Sequence, residues 1–326
     1  MSVLVTGVAG FIASHVCHAL LARGERVIGI DNVNDYYSVA LKRARLARLI
    51  DKPGFAFHEI DVSDAEGVAA IARANPDITG IVHLAAQAGV RYSLINPYAY
   101  VTANVMGQVV MLEAARRLDR LKNFVYASSS SVYGGNKKQP FSVDDPVDDP
   151  ISLYAATKRS CELSAHTYAH LFRIPAIGLR YFTVYGPWGR PDMAAYLFAD
   201  AIVAGKPIQV FNEGRMARDF TYIDDIVAGT VAALDRPPSG ELPHRVYNLG
   251  NHKPEQLMHF IAVIEAALGR QAEKQLMPMQ PGDVVSSFAD IDASRRDLGF
   301  EPRTPIEVGI PNFIRWYKSY HRLDAS

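Results

Sequence analysis

The first half of the chain alternates short β-rich runs with helical periodicity, and this alternation restricts the possible folds more than any other feature. The β-rich runs lie at residues 2–6, 26–30, 55–60, 80–84 and 124–127. Helical periodicity lies between them at residues 11–23, 65–74 and 100–118. Strands separated by helices predict an α/β fold built on a parallel, doubly wound sheet. Ligands of such sheets bind at the carboxyl ends of the strands.

A glycine-rich turn, GVAGFIA at residues 7–13, follows the first strand and opens the first helix. Gly7 permits a tight turn, and Gly10 lets the backbone approach a diphosphate at the helix N-terminus. Asp31 ends the second strand, where a carboxylate can bind both ribose hydroxyls of NAD and would repel the 2′-phosphate of NADP. Arg43 and Arg45 lie too far beyond the strand to reverse that preference. This spacing predicts NAD.

The ends of the third and fourth strands extend the predicted nucleotide site. Asp61 and Val62 are placed to contact adenine, and small residues after the fourth strand leave space for the cofactor. His83 lies on the strand rather than in the loop after it. We therefore expect His83 to pack in the interior rather than to act as an acid or base.

Tyr154 and Lys158 are four residues apart, which places them on one face of a helix. A lysine ammonium beside a phenol stabilises the phenolate, lowers its pKa and turns it into a usable base. Such pairs also occur by chance. Here a run of four serines at residues 128–131 precedes the pair, just past the fifth strand. Together with the glycine turn and Asp31, these hydroxyls indicate a catalytic site rather than a coincidence.

Proline and glycine become frequent after about residue 179, while helical periodicity remains at residues 255–268 and 306–320. This composition predicts a smaller second lobe of mixed structure. We expect a nucleotide-binding domain at residues 1–179 and a mainly substrate-binding lobe at residues 180–326. Part of the segment at about 219–250 is expected to return to the first sheet, because YNLG at 247–250 resembles a strand.

Composition argues against several classes of partner. Lys+Arg and Asp+Glu are both 34, so the formal net charge is zero and predicts neither nucleic acid nor an acidic membrane as a partner. No run approaches the ~20 apolar residues of a membrane span, and the N-terminus lacks a positively charged leader. The two cysteines, Cys17 and Cys161, are expected to be buried thiols rather than a disulfide or metal site. We expect a cytoplasmic protein.

These features, with RYF at residues 180–182, resemble those of the extended short-chain dehydrogenases/reductases of nucleotide-sugar metabolism, whose fold is Rossmann-type. The resemblance covers essentially the whole chain. Five longer strings look most like UDP-glucuronate 4-epimerases and are more specific than the nucleotide motif: DYY at 35–37, RYS at 91–93, residues 151–158, FTVYGPWGRPDM at 182–193 and RDFTYIDDI at 218–226.

The resemblance implies interconversion of UDP-glucuronate and UDP-galacturonate through a 4-keto intermediate. Hydride passes from C4 to tightly bound NAD, the keto sugar turns over in the pocket, and hydride returns to the opposite face. NAD is thereby regenerated in each cycle. The resemblance also implies a homodimer, for which the helices predicted at residues 100–118 and 152–172 offer apolar faces.

Individual roles are carried over from the family by position. Tyr154 removes the O4 proton, Lys158 holds the nicotinamide ribose and Ser129 hydrogen-bonds O4. The implied cofactor-binding residues are Gly7, Gly10, Phe11, Ile12, Asp31, Asn32, Asp61, Val62, Leu84, Ala85, Ala86, Tyr154, Lys158 and Tyr181. The implied substrate-binding residues are Arg91, Ser129, Ser130, Thr183, Arg190, Phe211, Arg218, Gln280 and Asp283. Among them, Arg218 and Arg190 are implied to hold the diphosphate, Phe211 to lie near uracil, and Asp283 to lie near the uridine ribose.

Several positions depart from related sequences. Ala13 replaces the third glycine, Thr183 stands where many relatives have Asn, and Gln280 stands where many have Arg. Related decarboxylases carry an acidic residue at the position of Ser131, and 4,6-dehydratases carry Asp-Glu at positions 130 and 131. A serine is too weak an acid for that proton transfer. We expect Ser130 and Thr183 instead to hold the sugar carboxylate where decarboxylation is disfavoured.

Three alternatives are open at this point. They are an epimerase of UDP-glucose and UDP-galactose, a UDP-glucuronate decarboxylase, and a non-enzymatic NAD-binding sensor or scaffold. The hydroxyl run and Arg190 favour a uronate over a neutral sugar. The intact pair of Tyr154 and Lys158 favours an enzyme over a sensor.

Overall fold

The computed structural model describes residues 1–279 and 285–323. Its strands are β1 (Ser2–Thr6), β2 (Arg26–Asp31), β3 (Phe55–Glu59), β4 (Ile78–His83), β5 (Asn123–Ser129), β6 (Ala176–Tyr181), β7 (Thr183–Tyr185), β8 (Ile208–Phe211), β9 (Ala217–Arg218), β10 (Phe220–Tyr222), β11 (His244–Leu249), β12 (Glu255–Gln256), β13 (Lys274–Met277) and β14 (Ser286–Ser287). Its α-helices are α1 (Phe11–Ala22), α2 (Val39–Ile50), α3 (Ala65–Ala74), α4 (Pro97–Tyr100), α5 (Gly107–Ala115), α6 (Leu153–Phe172), α7 (Ala194–Val203), α8 (Ile223–Asp235), α9 (Leu257–Leu268), α10 (Asp292–Leu298) and α11 (Ile306–Tyr320).

The central element is a seven-stranded sheet in the order β11-β6-β5-β4-β1-β2-β3. Every neighbouring pair in it is parallel. The strand order reverses between β1 and β4, so the loops after these two strands diverge and leave a crevice at their carboxyl ends. The predicted α/β fold with a doubly wound parallel sheet is therefore confirmed.

Helices cover both faces of the sheet, which explains why its strands are apolar along their length. One buried cluster contains Val16 of α1 and Ile226 of α8. The other contains Val68 of α3, Val110 of α5 and Ala165 of α6. The three carboxyl-terminal helices α9, α10 and α11 also contribute to the first cluster, which therefore continues from the large sheet into the second half of the chain.

The second half of the chain adds smaller sheets beside the crevice. β10 pairs with β7, and β13 pairs with β8, both in parallel. β9 pairs antiparallel with β12 and parallel with β14, so this region is mixed. β11 leaves it and pairs with β6 at the edge of the large sheet. Among the described helices, none is long and apolar enough to cross a membrane.

Two helices begin at residues other than those predicted. The helix predicted from residue 255 begins at Leu257, because Glu255 and Gln256 pair as a strand with Arg218 and Ala217. The helix predicted from residue 100 begins at Pro97, where the side chain of Asn96 accepts a hydrogen bond from the amide of Ala99. It passes through a π-helical segment, Val101–Met106, and ends at Ala115.

Candidate active site

A cavity of about 1060 Å³ opens at the carboxyl ends of the large sheet. Its walls include all the predicted site residues that the structure describes. Those residues are Gly7, Gly10, Phe11, Ile12, Asp31, Asn32, Asp61, Val62, Leu84, Ala85, Ala86, Arg91, Ser129, Ser130, Tyr154, Lys158, Tyr181, Thr183, Arg190, Phe211 and Arg218. Gln280 and Asp283 lie outside the described residues. The cavity is large enough for a dinucleotide and a second ligand together.

The glycine-rich turn brings the backbone against the loop after β4. Gly7 has a φ of +79°, and a Cβ there would lie 2.8 Å from the amide nitrogen of Ala85. A Cβ on Gly10 would lie 2.8 Å from the Gly7 carbonyl oxygen. Among the described residues no side chain caps α1, and its first turn carries no acidic residue. The helix N-terminus is therefore open to an anion, which is what a dinucleotide diphosphate requires.

Two carboxylates lie at the ends of β2 and β3. Asp31 is buried and accepts hydrogen bonds from the amides of Ala9 (3.0 Å) and Val33 (2.7 Å). Burial raises the pKa of Asp31 despite these bonds. Asp61 accepts from the Asn32 side chain at 2.6 Å and from Ser63, and these bonds outweigh burial and lower its pKa. Both carboxyl groups line the cavity.

Tyr154 and Lys158 lie in the first turns of α6, whose N-terminus is capped by the Ser152 hydroxyl. Lys158 is almost completely buried, and its Nζ donates to the Ala127 carbonyl oxygen at 2.8 Å. The ring of Tyr154 packs edge-on against Tyr100, with centroids 6.0 Å apart. Both side chains line the cavity. The structure thus places a phenol and an ammonium at the end of β5.

The four serines at residues 128–131 fall into two groups with different contacts. Ser129, Ser130 and Ser131 line the cavity, and the Ser129 hydroxyl lies 3.2 Å from both the Ser131 hydroxyl and its amide. Ser128 also borders the cavity, but its hydroxyl donates to the Glu162 carboxylate at 2.6 Å. Within the described part of the chain, three of the serines therefore line the cavity without a bond to the interior, whereas the Ser128 hydroxyl bonds to Glu162.

A buried polar network, which the sequence patterns did not indicate, supports α6. Glu162 of α6 and Arg180 of β6 form a bidentate ion pair at 2.8 and 2.9 Å. Arg180 also donates to the Tyr133 phenol, which donates to the side chain of Asn248 on β11. The bonds from Arg180 and Ser128 hold the pKa of Glu162 below its usual value, although burial opposes them. The network joins α6 to β5, β6 and β11.

His83 packs in the interior as predicted. It is buried, its Nδ1 lies 2.7 Å from the Thr6 hydroxyl, and its ring packs against Phe124. Burial lowers the pKa of His83 to about 3, so the ring stays neutral at physiological pH. It is not among the described residues that line the cavity. A neutral, enclosed imidazole has a structural role here.

The three arginines that were predicted to bind the substrate each have a defined partner. Arg190 forms a bidentate ion pair with Asp192, with its Nε at 3.0 Å from one carboxylate oxygen. Arg218 donates to the carbonyls of Ala217 and Val285. The guanidinium of Arg91 lies 5.4 Å from the centroid of the Phe211 ring. Pairing with Asp192 offsets the charge of Arg190, so an anionic ligand competes with that carboxylate.

Asp219 organises the second lobe and was missed from the sequence. It is completely buried and accepts hydrogen bonds from the amides of Asn251, His252 and Ala289 and from the Thr221 hydroxyl. Burial raises its pKa to about 6. Its only sequence signal is its place inside the string RDFTYIDDI. Asp219 fixes the loop after β11 next to Arg218, which borders the cavity.

The profile of the NAD dependent epimerase/dehydratase family matches residues 3–250. The chain is 47% identical over 337 residues to UDP-glucuronate 4-epimerase 4 of Arabidopsis thaliana, covering 99% of this chain and 77% of that one. It is 46% identical over 338 residues to a probable UDP-glucuronate 4-epimerase of Rhizobium meliloti, covering 99% and 98%. Its structure is similar, with a TM-score of 0.90 and 36% identity, to UDP-glucuronic acid 4-epimerase from Bacillus cereus in complex with UDP-glucuronic acid and NAD, covering 98% and 100%.

Glu162→Gln tests the importance of the buried ion pair. We expect the substitution to reduce the free energy of unfolding by about 3–5 kcal/mol, because it leaves the Arg180 guanidinium buried without its counter-charge. Denaturant unfolding of the purified protein measures the loss. Glu66→Gln is the matched control, since Glu66 pairs with Arg73 on the surface and is 82% exposed. Equal stability of the two variants would show that the network is dispensable.

Proposed function

The chain belongs to the NAD dependent epimerase/dehydratase family, and from this membership we propose that it interconverts UDP-glucuronate and UDP-galacturonate by epimerisation at C4. The observation that carries the proposal is the convergence of Tyr154, Lys158 and three serine hydroxyls on one cavity with the glycine-rich turn. Identities of 46–47% to plant and bacterial UDP-glucuronate 4-epimerases support the choice of substrate.

The residues around the turn fit NAD. When bound there, NAD would supply a reversible acceptor for the C4 hydride of the sugar. Gly7, Gly10 and the N-terminus of α1 hold its diphosphate, and Asp31 binds the adenosine ribose. The remaining proposed contacts are Phe11, Ile12, Asn32, Asp61, Val62, Leu84, Ala85, Ala86 and Tyr181, all of which line the cavity.

Proton transfer at O4 is assigned to Tyr154. Lys158, fixed to the Ala127 carbonyl, keeps a positive charge next to the phenol and binds the nicotinamide ribose. Ser129 holds O4 in line with Tyr154 through a hydrogen bond. Tyr154 takes the O4 proton as its phenolate while C4 is oxidised, and the phenol formed in this way returns the proton when C4 is reduced.

The UDP-sugar contacts come mainly from the opposite wall. We assign the diphosphate to Arg218 and Arg190, uracil to Phe211 with Arg91 above its ring, and the sugar carboxylate to Ser130 and Thr183. Gln280 and Asp283 stay predictions from the family pattern. In this division residues 1–179 hold NAD and residues 180–326 mainly hold the UDP-sugar, while α8 and β11 complete the nucleotide-binding half.

The serine run also separates this chemistry from that of related enzymes. The 4-keto uronate is a β-keto acid, which loses carbon dioxide readily. Among the described residues, positions 130 and 131 present hydroxyls rather than carboxyl groups to the cavity. A hydroxyl can bind the carboxylate but cannot serve as an acid at neutral pH. This chemistry supports an epimerase over a decarboxylase or a dehydratase.

We also infer a homodimer formed by the helix pair on one face of the sheet. Large apolar side chains are exposed on α6, at Leu163 and Leu171, and on the α4–α5 segment, at Tyr98, Val101 and Met106. Exposed apolar patches of this kind mark interaction surfaces. Two free, buried cysteines, Cys17 and Cys161, support a reducing compartment and hence the cytoplasm.

Product analysis of the purified protein tests the proposed reaction. The purified protein, incubated with UDP-glucuronate and no added NAD, is expected to produce UDP-galacturonate without UDP-pentose, as followed by proton NMR. Tyr154→Phe is the control for the catalytic base. Dominant UDP-pentose would identify a decarboxylase. Turnover of UDP-glucose in place of UDP-glucuronate would identify an epimerase of neutral sugars, and no turnover even with added NAD would favour a sensor.

Ser130→Ala tests how decarboxylation is suppressed. Loss of one hydrogen bond to a charged group is worth about tenfold, so the ratio of UDP-pentose to UDP-galacturonate should rise about tenfold. Ser131→Ala, which removes the neighbouring hydroxyl, should leave that ratio as it is. The NMR assay reports both products together. An unchanged ratio in the Ser130 variant would show that this hydroxyl does not restrain the carboxylate.

Leu163→Asp combined with Leu171→Asp tests the dimer. We expect light scattering to give a dimer for the parent protein and a monomer for the double variant, because each subunit would bring two unpaired carboxylates into the interface. Leu276→Asp, at a 58% exposed position on β13, is the matched control and should stay dimeric. A monomeric parent protein at micromolar concentration contradicts the inference.

A further inference from the structure

Arg45 of α2 is a fully buried cation whose partners are all neutral groups. Its guanidinium donates to the carbonyls of Ala9 (2.9 Å), Trp188 (2.8 and 3.0 Å) and Gly189 (3.0 Å), and to the Tyr37 phenol (2.7 Å). It is 0% exposed. No described residue pairs with it through a carboxylate. Buried charges are normally paired with an opposite charge, so this one calls for a counter-charge from elsewhere.

The contacts of Arg45 join the two sides of the cleft. Ala9 lies in the glycine-rich turn, between two residues that line the cavity. Trp188 and Gly189 lead directly into Arg190 and Asp192, which line the cavity from the second lobe. Arg45 itself is not among the described lining residues. It therefore acts from behind both walls and fixes their separation.

A second tie connects the same loop to the cofactor half. The Tyr36 phenol, in the segment after β2, donates to the Asp192 carboxylate at 3.1 Å. The Tyr36 hydroxyl also lies so close to Gly89 that a Cβ there would be 2.5 Å away. The loop at residues 188–192 is thus attached to the nucleotide-binding half at two points, one buried and one at the rim of the cavity.

A ligand can supply negative charge to Arg45 in addition to that of Asp31. The turn that contains Ala9 is the proposed diphosphate site, so a bound dinucleotide would place negative charge across that turn from the guanidinium. Asp31 interacts with Arg45 electrostatically but forms no direct ion pair with it; burial raises the pKa of Asp31, and Arg45 and Lys42 oppose that rise. In a region of low dielectric, attraction between Arg45 and a diphosphate is only weakly screened.

We propose that Arg45 is a positioning residue that retains NAD, by fastening the 188–192 loop to the glycine-rich turn and by placing a buried positive charge behind the diphosphate. The inference rests on the proposed function in taking the dinucleotide as NAD. An epimerase returns the hydride to its own intermediate, so release of the reduced cofactor in mid-cycle would end turnover. Retention is therefore a property this reaction needs, and Arg45 supplies it without contacting the sugar.

Arg45→Gln and Arg45→Lys separate the two contributions. Gln removes the charge and the forked contacts, whereas Lys keeps the charge and loses the fork. The released NAD is trapped by an added NAD-consuming dehydrogenase, which gives the dissociation rate without any sugar substrate. Arg43→Gln is the matched control on the same helix, since Arg43 is half-exposed and pairs with Glu59 on the surface.

We expect NAD to leave the Gln variant at least about tenfold faster than the parent, the size of one lost charge-assisted hydrogen bond. The Lys variant should fall in between, and Arg43→Gln should match the parent. Activity of the Arg45 variants should fall on dilution and return when NAD is added. If the Gln variant does not fold, the Lys variant decides. If a folded Arg45 variant releases NAD at the same rate as the parent protein, the inference is wrong. This outcome does not depend on which sugar the enzyme converts.

Discussion

The ion pair between Glu162 and Arg180 fixes the position of the catalytic helix against the sheet. Two buried charges cost several kcal/mol each to remove from water, and only complete hydrogen bonding offsets that cost. Here Ser128 and Tyr133 supply the additional hydrogen bonds, and the Tyr133 hydroxyl in turn donates to the side chain of Asn248. A helix held in this way by directional contacts cannot slide along the sheet, so its first turns keep a constant distance from the end of β5.

Local patterns were sufficient to predict six of the seven strands of the large sheet, all except β6, and to propose the nucleotide half of the site. Strand and helix periodicities, a glycine that needs positive φ, and a tyrosine and lysine one turn apart each depend on neighbours in the sequence. The partners of Arg45 and Glu162, by contrast, are not sequence neighbours of these residues. Arg45 contacts Trp188, 143 residues away, and Glu162 contacts Arg180, 18 residues away. No periodicity in either segment indicates which distant group a buried charge will meet.

The second lobe illustrates the same limit more strongly. Its strands are two to four residues long, so the alternation of apolar and polar residues along each strand is too short to detect. These strands also pair with segments far away in the chain. The role of Asp219 depends on amides at residues 251, 252 and 289. The family resemblance, rather than periodicity, led to Arg218 and Thr183. It could not show that Arg190 is engaged by Asp192, because that depends on side-chain geometry within one loop.

The late position of β11 in the chain ties the two halves of the protein to each other. The chain completes its nucleotide-binding sheet only after it has already formed β7, β8, β9 and β10 beside the crevice. A fragment that stops before residue 244 leaves β6 as an unprotected edge, and a fragment that starts after residue 179 carries a strand with no sheet to join. The two halves cannot be exchanged between proteins as modules. A change of sugar specificity in the second half of the chain therefore has to leave the pairing of β11 with β6 intact.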